Sequence, residues 1–351
     1  MPAARVALCL IAGAVLLGAG GAAPRVTLAA PVAVTAGVPW TALVRVSPAT
    51  RAGAVAVRAT TLGGRKSFAA RGRTGTYRAR VVLTGAGRWT LTALVEGRAL
   101  ATRRVRIVAP TVKHPYAAVV DPRGHVYVAD GDGRRILRLV PATRRLWVHA
   151  SGLDEPTGLA AAGESLYVAD FNAGLVRRVG AGGRVTTLTA LPQVTAVATA
   201  KAGDVYAVTL DGTLARISPS GRTTRISVPG GLDRPHGIAL DRDGHLLVAE
   251  DSRRVRRIDP ATGRAELVVD GVDTNRIAVA DDGTLFLAGA TRTAGTLRRL
   301  TPAARLTTLL DDLRVSDVAL LPDGSLVATT VGPGAVYRVD ADTGARTKLA
   351  G

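Results

Sequence analysis

The sequence predicts an all-β protein, a small β-sandwich followed by a six-bladed β-propeller. Three observations predict it. First, the chain repeats itself from about residue 113 onward. The cores "VYVAD", "LYVAD", "VYAVT", "LLVAE", "LFLAG" and "LVATT" begin at Val126, Leu166, Val205, Leu246, Leu285 and Leu326. These starts lie about forty residues apart, the length of a four-stranded propeller blade. Second, residues 24–109 alternate apolar and polar side chains with the period of two that strands impose. Third, 47% of the residues are apolar, yet the chain carries 40 glycines and 18 prolines. That mixture suits many short strands joined by turns, and no long stretch has helical periodicity.

Residues 1–23 read as a signal peptide. Arg5 precedes an apolar run from Val6 to Leu17, small residues follow, and cleavage is expected near Ala22–Ala23. The run is shorter than a membrane span, so no transmembrane segment is expected in the mature chain, which is placed outside the cytoplasm. Cys9, the only cysteine, lies inside that run. The mature chain is therefore expected to have no disulfide, thiolate metal site or cysteine nucleophile.

Residues 24–109 form the sandwich, with about seven strands expected and Trp40 and Trp89 read as core. This part is strongly basic: Lys66 and fourteen arginines face a single acid, Glu96, whereas the rest of the mature chain is close to balanced. Such asymmetry implies attraction to an anionic surface, a cell-wall polymer or lipid headgroups. Export argues against nucleic acid as the partner.

"VAPTVKHP", residues 108–115, reads as a linker, and the propeller is assigned to residues 110–351. In each unit an apolar strand such as "GIALD" precedes the core. A third strand rich in arginine, such as "RVRRI", and a fourth, such as "RVTTLT", follow it. The last unit supplies its own fourth strand, Arg346–Ala350, so the ring is expected to close without exchange between the ends. Acid–glycine pairs such as "DRDG" at 241–244 fall between the first and second strands. They are too closely spaced for a calcium loop, and glycine there supplies the positive φ of a tight turn.

In a propeller the innermost strands line a central channel. The loops entering them, and the loops after the second strands, open on one face. Aligning the units gives one entrance residue each: Tyr116, Thr157, Thr195, His236, Asn275 and Ser316. The next position adds Arg276 and Asp317. The second loops add Asp130, Asp170, Asn172, Asp211, Glu250 and Asp251. A polar mouth of mixed charge follows, suited to a small molecule, a glycan or a protein. The other histidines, His114, His125, His149 and His245, have no metal-ligand spacing among them.

The repeat form "P-x-G-(I/L)-A-x-D-x-x-G-x-(L/V)-(Y/L)-V-A-D" resembles NHL repeats and, more broadly, the SMP-30/gluconolactonase-like and streptogramin-lyase-like propellers. The stretch "GTYRARVVLTGAGRWTLTALVEGR" resembles bacterial immunoglobulin-like exported domains. Copper-binding relatives of that kind use Met and His, and residues 24–109 contain neither. The SMP-30 resemblance implies a divalent cation, calcium or zinc, at the channel mouth on hard oxygen ligands. The positions here are Asp154 and Glu155 near Pro156, Asn275, and Asp317 one place along, while His236 stands where those relatives keep an Asn. The streptogramin-lyase resemblance rests on "PHGIALDRDGHLLVAE". It makes His236 the candidate acid–base residue, with Glu250 in the same unit. A complete scaffold with an incomplete catalytic set points first to a binding protein. The alternative is a cation-assisted lactonase or related hydrolase.

Overall fold

In the computed structural model, residues 25–47, 53–290 and 294–351 are described. The expected signal peptide, with Cys9 and its cleavage point, lies outside the described residues. The chain divides between Pro110 and Thr111 into two compact units. Among the described residues, no helix is long and apolar enough to cross a membrane.

Among the described residues, the first unit has eight strands: β1 (Arg25–Ala29), β2 (Ala33–Thr35), β3 (Trp40–Ser47), β4 (Val55–Thr61), β5 (Gly64–Arg73), β6 (Thr76–Val81), β7 (Gly87–Val95) and β8 (Arg98–Val108). They form one continuous sheet in the order β1-β3-β6-β5-β4-β7-β8-β2. The reason is β5. It pairs with β4 through Gly64–Ala70 and with β6 through Ala70–Arg73, so one long strand joins two halves. The sheet folds over, bringing β1 against β7 and β8. Alternate residues point inward, so Val44, Val57, Tyr77, Trp89, Leu91 and Val105 are buried between the halves. Trp89 donates its indole N–H to the Gly85 carbonyl at 2.8 Å. Trp40 is only partly buried.

The second unit is a six-bladed β-propeller. Each blade is a four-stranded antiparallel sheet built from four consecutive strands, so no blade borrows a strand from another. The inner strands, blades 1 to 6, are Pro115–Val120, Pro156–Ala162, Val194–Thr199, Pro235–Leu240, Arg276–Val279 and Val315–Leu320. Each packs on the next, and the sixth packs on the first. The core lies between blades. For example, Ile238, Leu246, Val248 and Ile258 of blade 4 pack on Tyr206, Val208 and Leu214 of blade 3. Second strands such as Leu246–Glu250 are buried along their whole length because a neighbour covers each face.

Two glycines of blade 4 illustrate the local chemistry. Gly237 has no room for a side chain: a Cβ there would lie 2.3 Å from the Asn275 carbonyl of blade 5. Gly244 has open space but a φ of +87°, which completes the first hairpin. In that hairpin Asp241 Oδ1 accepts from the backbone N–H groups of Asp243 and His245, each at 2.9 Å.

Candidate ligand-binding mouth

The entrance positions owe their geometry to β-bulges. In blade 4, Pro235 pairs with Glu250 and Gly237 with Ala249, so His236 has no partner across the ladder. The same skip frees Tyr116, Thr157, Thr195 and Ser316 in blades 1, 2, 3 and 6. A bulge re-aims the side chain it carries. All five, with Asn275 of blade 5, line one cavity of about 330 Å³ at the channel mouth.

Three of these side chains also fasten blades together. The Thr157 hydroxyl donates to Thr195 O at 3.1 Å, and the Thr195 hydroxyl to Pro235 O at 2.7 Å. The Ser316 hydroxyl donates to Pro115 O at 2.5 Å, joining blade 6 to blade 1. Asn275 donates its side-chain amide to Ala290 O at 3.1 Å, within its own blade. All three hydroxyls are engaged with backbone carbonyls of a neighbouring blade.

His236 is the group with chemistry to offer. Its Nε2 lies 2.6 Å from Asp251 Oδ1, and Arg234 Nε donates to Asp251 Oδ2 at 2.8 Å. A carboxylate can only accept, so Nε2 carries the proton and Nδ1 is an acceptor. Burial holds the imidazole below its ordinary pKa, aided by Arg276 and Arg234 and opposed by Asp251. The ring is therefore neutral near pH 7. On another side of the cavity the Tyr116 ring stacks on His114, with centroids 4.4 Å apart. Burial and the nearby Glu155 carboxylate push the Tyr116 phenol up to about 12, so it stays a donor. Phe171, Leu210 and Val331 supply apolar wall.

Arg276 forms the floor. Its guanidinium reaches His236 O in blade 4 and donates to Asn275 O at 3.0 Å and, across the channel, to Thr157 O at 2.8 Å. It lines both the mouth cavity and a second cavity of about 330 Å³ along the inner strands. Asp317 belongs to that second cavity. It is buried and accepts from Ala118 N and Val318 N, both at 2.7 Å. Burial pushes its carboxyl up to about 6 against the pull of Arg276 and those two N–H groups.

Asp130 and Asp170 do not line the mouth cavity, and Glu250 lines a neighbouring cavity that shares His236, Asn275 and Arg314 with it. Each is almost completely buried at the end of a second strand. Asp130 accepts from Lys113 N and His114 N at 3.0 and 2.9 Å, and from Arg135 Nε at 2.9 Å. Asp170 does the same with Asp154 N, Glu155 N and Arg177 Nε, and Glu250 with Asp233 N and Arg256. They pin the entrance loop of their own blade. Their partners Arg177 and Arg256 come from the arginine pairs of the third strands.

The four positions of the implied cation site do not gather. Asp154 is ion-paired with Arg134 at the rim, and Glu155 faces Tyr116. Asn275 is bonded to Ala290 O, and Asp317 sits in the other cavity. Among the described residues, one group of three His, Asp or Glu side chains has ligand atoms within 4.8 Å of one another: Asp241, Asp243 and His245, in the blade 4 hairpin. The residues at the mouth therefore do not fit a hard-oxygen cation site. Alignment alone did not single out Arg234, Phe171, Leu210, Arg314 or Val331 as mouth residues. Their only signal was that they flank an entrance position or follow a second strand.

Fold and mouth together define a six-bladed β-propeller with a mostly apolar cavity, set with polar groups, at one end of its channel. No protein-family profile matches the sequence, and no curated protein does. Among solved structures, a streptogramin B lyase is 14% identical with a TM-score of 0.50, covering 83% of this chain and 94% of that one. The nidogen/laminin complex matches at 17% identity and a TM-score of 0.56, covering 64% and 91%. The WD40 β-propeller domain of Doa1 matches at 12% and 0.52, covering 67% and 95%. The shared property is the propeller fold, which serves lyases and binding domains alike.

Proposed function

We propose that this is an exported binding protein. Its propeller mouth takes a small molecule or the end of a glycan, and its basic first unit docks to an anionic envelope component. The observation that carries the first part is convergence: all six blade-entrance residues line one cavity of about 330 Å³. That volume lies at the lower end of the range for small-ligand sites, about 300–1,000 Å³. The cavity is lined by Arg234, Tyr116, Glu155 and His236 together with apolar wall, a mixture suited to recognition. The separation of Asp154, Glu155, Asn275 and Asp317 favours binding over cation-assisted hydrolysis.

The test is a thermal-shift panel of soluble mono- and oligosaccharides and amphipathic small molecules, with hits repeated on Thr157→Trp, which fills the mouth. A ligand at a hundred times its Kd adds about 2.7 kcal/mol of stability. The expected outcome is a clear rise in Tm for the natural protein that Thr157→Trp abolishes. A panel without any shift, or shifts that persist in Thr157→Trp, would end this reading.

A further inference from the structure

The first unit carries a charge arrangement that its own stability does not explain. On the outer face of β3, β6 and β5, residues paired across the strands share one side. Arg45, Thr76 and Arg73 form one row, and Leu43, Arg78 and Arg71 form the next, with Arg80 beyond. Arg45, Arg71, Arg73, Arg78 and Arg80 are all exposed. Arg71 and Arg78 are direct cross-strand partners, a like-charge placement that destabilises a sheet. The opposite outer face repeats it, with Arg88 directly across from Arg106 and both exposed. Among the described residues, none of these side chains has a carboxylate partner. Glu96, the only acid, accepts from Gly53 N instead.

We infer that this unit binds a linear, base-free phosphodiester polymer of the glycerol-phosphate type, laid along the arginine rows. The inference rests on the anionic docking reading above and narrows it. Arginine's planar fork suits the paired oxygens of a phosphate, and an oxyanion between Arg71 and Arg78 turns a repulsive pair into a shared site. A flexible chain can follow arginines on both outer faces, whereas a planar membrane meets one. Single-stranded nucleic acid is ordinarily gripped by exposed aromatic platforms. Trp40, Phe68, Tyr77 and Trp89 are all buried or half-buried.

The experiment measures binding of labelled poly(glycerol phosphate) to the full chain. Competitors are polyglutamate, oligo(dT), neutral dextran and vesicles of phosphatidylglycerol with phosphatidylcholine. Poly(glycerol phosphate) is expected to bind best, and to weaken by roughly tenfold or more between about 50 and 200 mM salt as counterions compete. R71S/R78T is expected to lose roughly tenfold in affinity while its Tm holds or rises, because the like-charge pair is gone. A purely structural role would lower the Tm instead. R45T/R80T gives a second reading of the same face should the first pair fold poorly. Unchanged affinity in both variants overturns the inference. Tighter binding to vesicles or oligo(dT) also overturns it but leaves anionic docking standing, and no binding to any polyanion at low salt removes both.

Discussion

Buried acids recur at the ends of second strands, and each holds an arginine and a loop backbone. Removing one partner of such a set leaves the others buried without an anion, which typically costs about 3–5 kcal/mol. Asp170→Ala is therefore expected to lower the urea-unfolding free energy by about 3 kcal/mol. Asp317 behaves differently because its carboxyl is pushed up to about 6 in the fold, above the ordinary carboxylate value of 3.8. Between these pH values the folded state holds the proton that the unfolded state has lost. Asp317 thus draws stability down as pH rises through that window, with no further change above it. Asp317→Asn is expected to flatten the Tm-against-pH curve between about pH 4 and 6, and an unchanged curve would refute the placement. Alignment placed these acids near the mouth but could not say which way they point. A core such as "VYVAD" is buried on both sides, so alternation no longer distinguishes faces.

The four-stranded sheets themselves were legible, because the repeat fixes where each second strand starts and the hairpins carry Asp-Gly signals. The bulge was not: pairing Pro235 with Glu250 and Gly237 with Ala249 depends on the far strand, which local pattern does not encode. The turn role of Gly244 was legible in its Asp-Gly pair, whereas the role of Gly237 was not, because the neighbouring blade forces it. Their substitutions separate the two causes. Gly244→Ala is expected to cost about 1 kcal/mol through strain. Gly237→Ala is expected to cost roughly 3 kcal/mol, because the next inner strand must move. Chemical denaturation of the two variants checks the order.

Across the whole chain, the sequence correctly implied an all-β protein with six blades. It did not reveal that β5 would join the halves of the first unit into one sheet, since a long alternating strand looks the same whichever neighbours it takes. Because the last blade owns all four of its strands, trimming residues 346–351 is expected to lower the Tm while leaving the propeller folded and its oligomeric state unchanged. Aggregation of the trimmed chain would show instead that the edge strand is required for closure.

The bonds between blades also set an order of events in time. Thr157 reaches Thr195 across 38 residues of chain, and Thr195 reaches Pro235 across 40. Ser316 reaches Pro115 across 201. By loop-closure entropy the fivefold longer span costs only about 1.4 kcal/mol more, so the finished ring has no weak seam. On a ribosome, though, blade 1 emerges long before blade 6. Until blade 6 is in place, blade 1 has an apolar flank with no neighbour to cover it. The nascent ring is then a row of paired blades with a sticky leading edge, and it is there that a chaperone would be needed.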